Sequence, residues 1–143
     1  MTVVEVHFNA QDALLYACRL LRKAVRQGSG VAVTAAGETL ARLDLLLWSF
    51  DPIEFGPHLR LRGEAVVPPR LHATPVWLVE DAGRAAHQPV LVNLGDQPPT
   101  GFESFPRLIE VVGIDPLDRE AARERWKHYA SRGYPISGRE VAA

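Results

Sequence analysis

Residues 3–35 read VVEVHFNAQDALLYACRLLRKAVRQGSGVAVTA, and this stretch decides the fold class. It opens with the β-branched, partly alternating run Val3–Phe8, which predicts a strand. Asn9 is the expected N-cap of a helix over Ala10–Gln27. Val31–Ala35 is short and apolar throughout, which is typical of a strand that is covered on both faces.

The rest of the chain repeats this alternation of strand and helix. Further elements are expected as a helix over Glu38–Leu47, strands at Val76–Val79, Pro89–Leu94 and Leu108–Val112, and a last helix from Asp115 to about Arg132. The last helix has the clearest signals, because Asp115 can cap it and Gly133 suits its end. The pattern predicts a single α/β domain over residues 1–143: a three-layer, Rossmann-like fold with a mostly parallel central sheet and helices on both faces.

Composition excludes several functional classes. The 143 residues carry a formal net charge of -1, whereas proteins that grip nucleic acid through many phosphates usually have a basic surplus. The single cysteine cannot form an internal disulfide, and no histidine or cysteine stands at metal-ligand spacing. Without a recognisable secretion signal or a membrane-spanning apolar run, the expected location is the cytoplasm.

The sequence also lacks the loops by which α/β proteins hold phosphates. No glycine follows the first strand and no Gly-Lys-Ser/Thr triplet occurs, so the fold is expected to lack a phosphate-binding loop and to need no cofactor. Glu80 and Asp81 follow a strand, and they are the one pair that suggests the alternative of a small α/β nucleotide-binding protein or enzyme. Adjacent carboxylates in a loop are more often solvated turn residues, so no catalytic residue is assigned.

The last helix has a pattern that favours ligand binding. Arg119, Arg123 and Lys127 recur at i, i+4 and i+8 and therefore line one stripe, and Trp126 lies three residues from Arg123. Cations beside a large aromatic side chain suit an anionic, partly apolar ligand. The alternative is that Trp126 and Tyr129 pack inward and the cations are only solvated.

A second candidate surface is the aromatic and proline-rich stretch Trp48–His58, which contains Trp48, Phe50 and Phe55. Prolines restrict this stretch, and pre-ordered aromatic segments are frequent anchors at protein interfaces. Equally, these side chains can cover the end of the sheet as part of the core.

In these two stretches the chain resembles the chi subunit family of bacterial DNA polymerase III holoenzyme. The resemblance is carried by Leu43–Trp48, by Phe55–His58, and above all by Ala122–Tyr129 with Gly133–Tyr134 after it. It implies a non-catalytic α/β adaptor in the clamp-loader assembly. Such subunits bind the acidic C-terminal tail of single-stranded DNA-binding protein, which ends in a phenylalanine with a free carboxylate, and they bind the psi subunit.

The resemblance also implies roles for individual residues. Arg123 would hold the terminal carboxylate of the tail, Trp126 would flank the phenylalanine pocket, and Arg119 and Lys127 would face the aspartates. The family commonly has a tyrosine at the position of Trp126, which leaves the shape of the pocket open.

For the second surface, the resemblance implies that Trp48 and Phe55 contact psi or an alternative helicase partner. Between Leu59 and Pro75 no motif is transferable. Little or no direct contact with nucleic acid and none with a membrane is expected.

Overall fold

The computed structural model describes residues 1–50, 58–63 and 66–141. The strands within these ranges are β1 Val3–Ala10, β2 Val31–Thr34, β3 His58–Arg60, β4 Val76–Val79, β5 Val90–Asn93, β6 Arg107–Gly113 and β7 Ile136–Glu140. The α-helices are α1 Ala13–Arg26, α2 Gly37–Phe50 and α3 Pro116–Ser131, and short 3-10 helices cover Pro69–Leu71, Ala82–Ala85 and Phe102–Ser104. None of the described helices has the length and apolar character needed to cross a membrane.

The strands form one sheet in the order β3-β4-β2-β5-β6-β1-β7. Each pairing between neighbouring strands in the described chain is parallel. The predicted Rossmann-like α/β class is therefore confirmed, with a sheet that is more uniformly parallel than the pattern required. The first strand lies between β6 and β7, near one edge.

Alternate strand residues face opposite layers, as the period of two requires. Val31 and Val33 of β2 belong to the core cluster that contains the buried residues of α1 and α2, whereas Ala32 between them belongs to the cluster on the other face, which contains Tyr129 of α3. Every residue of β2, β4 and β5 is buried, which explains why these segments read as continuous apolar runs.

The start of the first helix differs from the sequence-based expectation. Asn9 is not the N-cap, because β1 continues to Ala10 and Asp12 caps α1 by accepting a hydrogen bond from the backbone N–H of Leu15. Asn9 instead lies at a register shift between β1 and β6, with a φ of 64°. Asparagine tolerates this left-handed conformation better than most residues, since its short side chain can hydrogen-bond locally.

The boundaries of the last helix agree with the prediction. Asp115 caps α3 by accepting from the backbone N–H of Leu117, and Pro116 occupies the first turn. Gly133 follows the helix with a φ of 80°, a conformation that glycine adopts without a steric cost.

Three other elements depart from the expectation. Helix α2 extends to Phe50 and so includes Trp48, whereas the expected helix ended at Leu47. Strands β3 and β7 were not predicted, since β3 has three residues and β7, with the sequence ISGRE, is mostly exposed. Residues 51–57, which include Phe55, lie outside the described part of the chain.

Candidate functional site

A cavity of about 550 Å³ lies between α3 and strands β1 and β6 of the sheet. It is lined by Val6, Phe8, Asn9, Val112, Arg119, Ala122, Arg123, Trp126 and Lys127. The side chains from the strands are mainly apolar, and α3 supplies the cations. The three cations of the predicted stripe and Trp126 therefore line one cavity. They are Arg119, Arg123, Lys127 and Trp126.

The two aromatic residues of α3 point in different directions. Trp126 is 36% exposed at the cavity, whereas Tyr129, one turn away, is fully buried. The inward-packing alternative thus describes Tyr129 and not Trp126. Arg119, Arg123 and Lys127 are all exposed along the same helix.

The aromatic wall of the cavity is built over a glycine of β7. A Cβ atom placed on Gly138 would lie 3.4 Å from Cε1 of Phe8 and 3.6 Å from the nearest atoms of Trp126. Both rings therefore pack over a strand position that carries no side chain. A branched residue at Gly138 would push the two rings away from their present positions.

The three cations have different surroundings. Nη2 of Arg119 donates to Oδ1 of Asn9 at 2.7 Å, and Nδ2 of Asn9 donates in turn to Oε1 of Glu140 at 2.9 Å. Lys127 has a long, solvent-exposed contact of 3.4 Å with Glu124, which contributes little to stability. Arg123 has no hydrogen-bond or ion-pair partner within the described ranges. It is the cation whose guanidinium group can receive a ligand with the least rearrangement.

A buried polar network fixes α3 on the sheet. Glu110 of β6 accepts from Nε of Arg125 at 3.1 Å, from the hydroxyl of Tyr129 at 2.5 Å and from Nδ2 of Asn93 at 2.9 Å. Nη1 of Arg125 also donates to the backbone oxygen of Asp96. Burial raises the pKa of Glu110, and the charge of Arg125 opposes that rise.

This network explains why Arg125 is buried while the other cations of α3, such as Arg123 and Lys127, are exposed. Arg125 is only 4% exposed and is a structural residue, although it lies between two residues of the cavity in sequence. Since Arg125 and Tyr129 face the core, Arg123 and Trp126 are turned toward the cavity. Helical spacing distinguishes the two arginines, because Arg123 lies four residues from both Arg119 and Lys127, whereas Arg125 does not.

Several cavity residues were not recognised in the sequence. Phe8, Val6 and Val112 belong to strands, where an apolar residue is expected in any case. Asn9 was assigned a capping role, and its contact with Arg119 joins positions 110 residues apart. The only local signal was an asparagine at the end of a strand, which is compatible with left-handed backbone but does not identify a partner.

The second candidate surface lies on α2. Trp48 is 60% exposed and Leu45, one turn before it, is 72% exposed. The Trp48 ring lies 4.7 Å from the ring of His58, whose Nε2 is 2.7 Å from Oδ1 of Asp44. This surface and the α3 cavity are on opposite faces of the sheet, because α2 packs with the strand residues that point away from α3.

The carboxylates that suggested an enzyme have ordinary structural surroundings. Asp81 accepts from the backbone N–H of Gly83 at 3.0 Å and caps the 3-10 helix Ala82–Ala85. Glu80, beside it, is exposed at the end of β4. Among the described residues, no group of three or more histidine, cysteine or acidic side chains is arranged to hold a metal ion.

The geometry of the α3 cavity suits one kind of ligand. An apolar floor and an indole can take a hydrophobic group, while exposed guanidinium and ammonium groups beside them attract negative charge. The side chains that line this cavity include no serine, cysteine, histidine or carboxylate. The apolar floor and the cations together fit a ligand that carries both an apolar group and a negative charge.

Comparison with known proteins places the chain in a family. The model of the family described as DNA polymerase III chi subunit, HolC, matches residues 1–137. A DNA polymerase III subunit chi of Pseudomonas aeruginosa is 37% identical over 124 residues, which cover 86% of this chain and 82% of the relative. One from Haemophilus influenzae is 33% identical over 129 residues, which cover 87% and 85%. The chain therefore belongs to the DNA polymerase III chi subunit family, and its role is in DNA replication.

Proposed function

We propose that this chain is a non-catalytic, cytoplasmic adaptor that links the clamp loader to single-stranded DNA-binding protein. In this proposal residues 1–143 act as one domain, and the α3 cavity binds the acidic C-terminal tail of that protein. The terminal phenylalanine enters the apolar part of the cavity beside Trp126, and Arg123 pairs with the terminal carboxylate. Arg119 and Lys127 face the aspartates that precede the phenylalanine.

One observation carries this proposal: an apolar cavity is bordered by a cation, Arg123, that has no partner in the described chain. A free carboxylate next to an aromatic side chain satisfies both features at once, since guanidinium and carboxylate form parallel hydrogen bonds. The terminal position of the ligand matters, because an internal phenylalanine carries no carboxylate.

The first experiment measures binding of a labelled acidic peptide that ends in Pro-Phe by fluorescence anisotropy. We expect Arg123→Ala to weaken binding about tenfold or more, because a charge-assisted pair is lost. Arg132→Ala is the matched control, since Arg132 is an exposed arginine at the C-terminal end of the same helix and does not line the cavity. Equal affinity of wild type and Arg123→Ala would reject the assignment.

A second peptide isolates the carboxylate contact. The same sequence with a C-terminal amide should bind wild type more weakly, because the negative charge is gone. In the Arg123→Ala variant the amide and the acid should bind alike, since the partner of the carboxylate is already missing. If amidation weakens peptide binding equally in wild type and in Arg123→Ala, a group other than Arg123 holds the carboxylate.

We also propose that the α2 surface binds the psi subunit or a helicase in its place. Exposed Trp48 and Leu45 support this part of the proposal, because neighbouring large apolar side chains at a protein surface favour a partner. Phe55 belongs to the same proposal but lies outside the described residues.

Trp48→Ala should abolish co-purification with psi, while Leu117→Ala, at a 74% exposed apolar residue of α3, should not. Retention of psi by the Trp48 variant would contradict this assignment.

The proposed contact with the tail suits a link that must form and break repeatedly. A short disordered segment that binds through charge pairs has modest affinity and becomes weaker as salt screens the charges. When the partner is an oligomer with several tails, effective concentration strengthens the link without additional contacts.

A further inference from the structure

A second cavity, of about 190 Å³, lies on the opposite face of the sheet beneath α1. Its floor comes from strand residues that include Val31, Val92 and Ile109, and its cover comes from the second half of α1. It shares no lining residue with the α3 cavity. None of the roles proposed above uses it.

Positive charge is concentrated at this second cavity. Lys23 of α1, Arg107 of β6 and Arg139 of β7 all line it, and no carboxylate does. Glu5 forms a salt bridge with Arg107, so the four groups together carry a surplus of two positive charges. Lys23 and Arg139 have no ion-pair partner in the part of the chain that the structure describes. All three cations are exposed at the rim of the cavity, where their charge attracts an anion.

A buried histidine in the wall of the cavity adds an independent feature. His7 is 1% exposed, and its Nδ1 is 2.6 Å from the hydroxyl of Tyr16. The other ring nitrogen, Nε2, is buried and has no hydrogen-bond partner among the described residues. A buried polar atom without a partner is uncommon in folded proteins and calls for an explanation, such as a bound ion.

The charges around His7 agree with a site for an anion. Burial lowers the pKa of His7, Glu5 opposes this effect, and Arg139, Arg107 and Lys23 add to it. The ring is therefore neutral near pH 7. When the hydroxyl of Tyr16 donates to Nδ1, the proton of the ring is on Nε2, which is then a donor that an anion can satisfy.

We propose that this cavity binds a phosphate or pyrophosphate group, held by Lys23, Arg139 and Nε2 of His7. The volume supports a group of this size, because pockets for drug-sized ligands start at about 300 Å³. Arginine and lysine both bind phosphate oxygens, and arginine does so with two parallel hydrogen bonds. The site lies under the C-terminal half of α1 and does not use a glycine-rich loop after β1.

The test uses the full chain and inorganic pyrophosphate in a phosphate-free buffer, with sodium chloride adjusted to constant ionic strength. Isothermal titration calorimetry should show saturable binding by wild type. Lys23→Gln and Arg139→Gln should each weaken it about tenfold, because each removes one charge-assisted contact. Arg132→Gln, which removes an exposed arginine outside the cavity, should bind like wild type.

A spectroscopic measurement reports on His7 without replacing a core residue. The ¹⁵N resonance of Nε2 should shift on addition of subsaturating pyrophosphate in wild type, and the shift should be several times smaller at the same concentration in Arg139→Gln. Adenosine triphosphate serves as a second probe. If it binds with the same dependence on Arg139, the phosphate of a nucleotide is the natural group; if only pyrophosphate binds, the ligand is a free anion.

Three outcomes would overturn the proposal: no saturable binding at millimolar pyrophosphate, equal binding by Arg139→Gln and wild type, or equal losses in Arg139→Gln and Arg132→Gln. The result is separable from the tail-binding proposal. Arg123→Ala should retain the affinity for pyrophosphate, and Arg139→Gln should retain the affinity for the acidic peptide.

Discussion

At the scale of single residues, Asn9 joins three parts of the candidate site. Its side chain contacts Arg119 of α3 and Glu140 of β7, while its own backbone lies at the end of β1 in a left-handed conformation. The guanidinium group of Arg119 is thereby held at the mouth of the cavity. The backbone conformation of Asn9 and its side-chain contact with Arg119 are two separate structural roles.

Replacing Asn9 in two ways separates these functions. Asn9→Gly keeps the left-handed backbone but frees Arg119, so we expect peptide affinity to fall about two- to tenfold, the value of one hydrogen bond. Asn9→Ala should also lower the free energy of unfolding, by about 1 kcal/mol, because a Cβ atom opposes a positive φ. Urea denaturation and peptide anisotropy measure the two effects. Equal stability of the two variants would contradict the backbone part.

The pKa of His7 makes a prediction about pH. Burial lowers the pKa of His7 in the folded state. The fold is therefore more stable above the unfolded-state pKa of about 6.5, where the ring is neutral, than at low pH, where it is protonated. This stability is lost as pH falls from the unfolded pKa through the lower, folded pKa. In this window the unfolded state binds the proton more strongly than the folded state, so unfolding takes up a proton. An NMR titration in a phosphate-free buffer should give His7 a pKa below 6.5, and a value at or above 6.5 would contradict the prediction.

How much of the site was predictable depends on whether the signal was local. The stripe Arg119, Arg123 and Lys127 with Trp126 follows from helical spacing alone. Asn9 and Phe8 are separated from α3 by more than 100 residues, and their contact depends on the order of strands in the sheet. No pattern within a helix or a strand contains that information.

At the scale of elements, helix α3 is oriented by its buried ion pair. Arg125 and Glu110 are 4% and 1% exposed, and the pair carries hydrogen bonds to Tyr129, Asn93 and the backbone of Asp96. These contacts fix the rotation of the helix and therefore the direction of Trp126. A burial pattern made only of apolar residues would specify that rotation less narrowly.

Removing one partner of this pair should be costly. Arg125→Met leaves the carboxylate of Glu110 buried without its counter-charge, and the expected loss is about 3–5 kcal/mol in the free energy of unfolding. Adding Glu110→Gln should restore part of the loss, since the buried group is then neutral. Urea denaturation of the single and double variants measures both effects. A loss below about 1 kcal/mol in the single variant would contradict the role given to the pair.

The boundaries of elements were predictable where side chains define them. Asp115, Pro116 and Gly133 mark α3 through capping and a positive φ, so both ends were predicted within a residue or two. The start of α1 was placed too early, because Asn9 and Asp12 are both good caps and the local sequence does not choose between them. Strand β7 was missed because an exposed edge strand with a glycine lacks the apolar pattern of a buried one.

At the scale of the whole molecule, the sheet separates the two proposed protein-binding surfaces. The α3 cavity lies near the β1–β7 edge, and Trp48 lies on α2, which covers the other face. The sequence predicted the class of fold but not this arrangement. The order of strands is determined by which helix covers which strands, a long-range property that alternation of elements does not specify.

This separation predicts independent binding. Sites that share no residues and lie on opposite faces usually couple by less than about 0.5 kcal/mol. The affinity for the acidic peptide should therefore change by less than about twofold when psi is bound. Peptide anisotropy with and without saturating psi measures this, and a change above about fivefold would show that the two surfaces are coupled.

The position of β1 also has a consequence for biosynthesis. Strand β1 pairs with β6 and β7 in the described sheet, so Val3 waits for Arg107 to emerge from the ribosome. At roughly 5–20 residues per second, that interval is about 5 to 20 seconds. Phe8 and Asn9 acquire their places beside α3 only after residues 116–131 have also been made. A ribosome that stops before α3 is complete would release a chain without the cationic side of the α3 cavity.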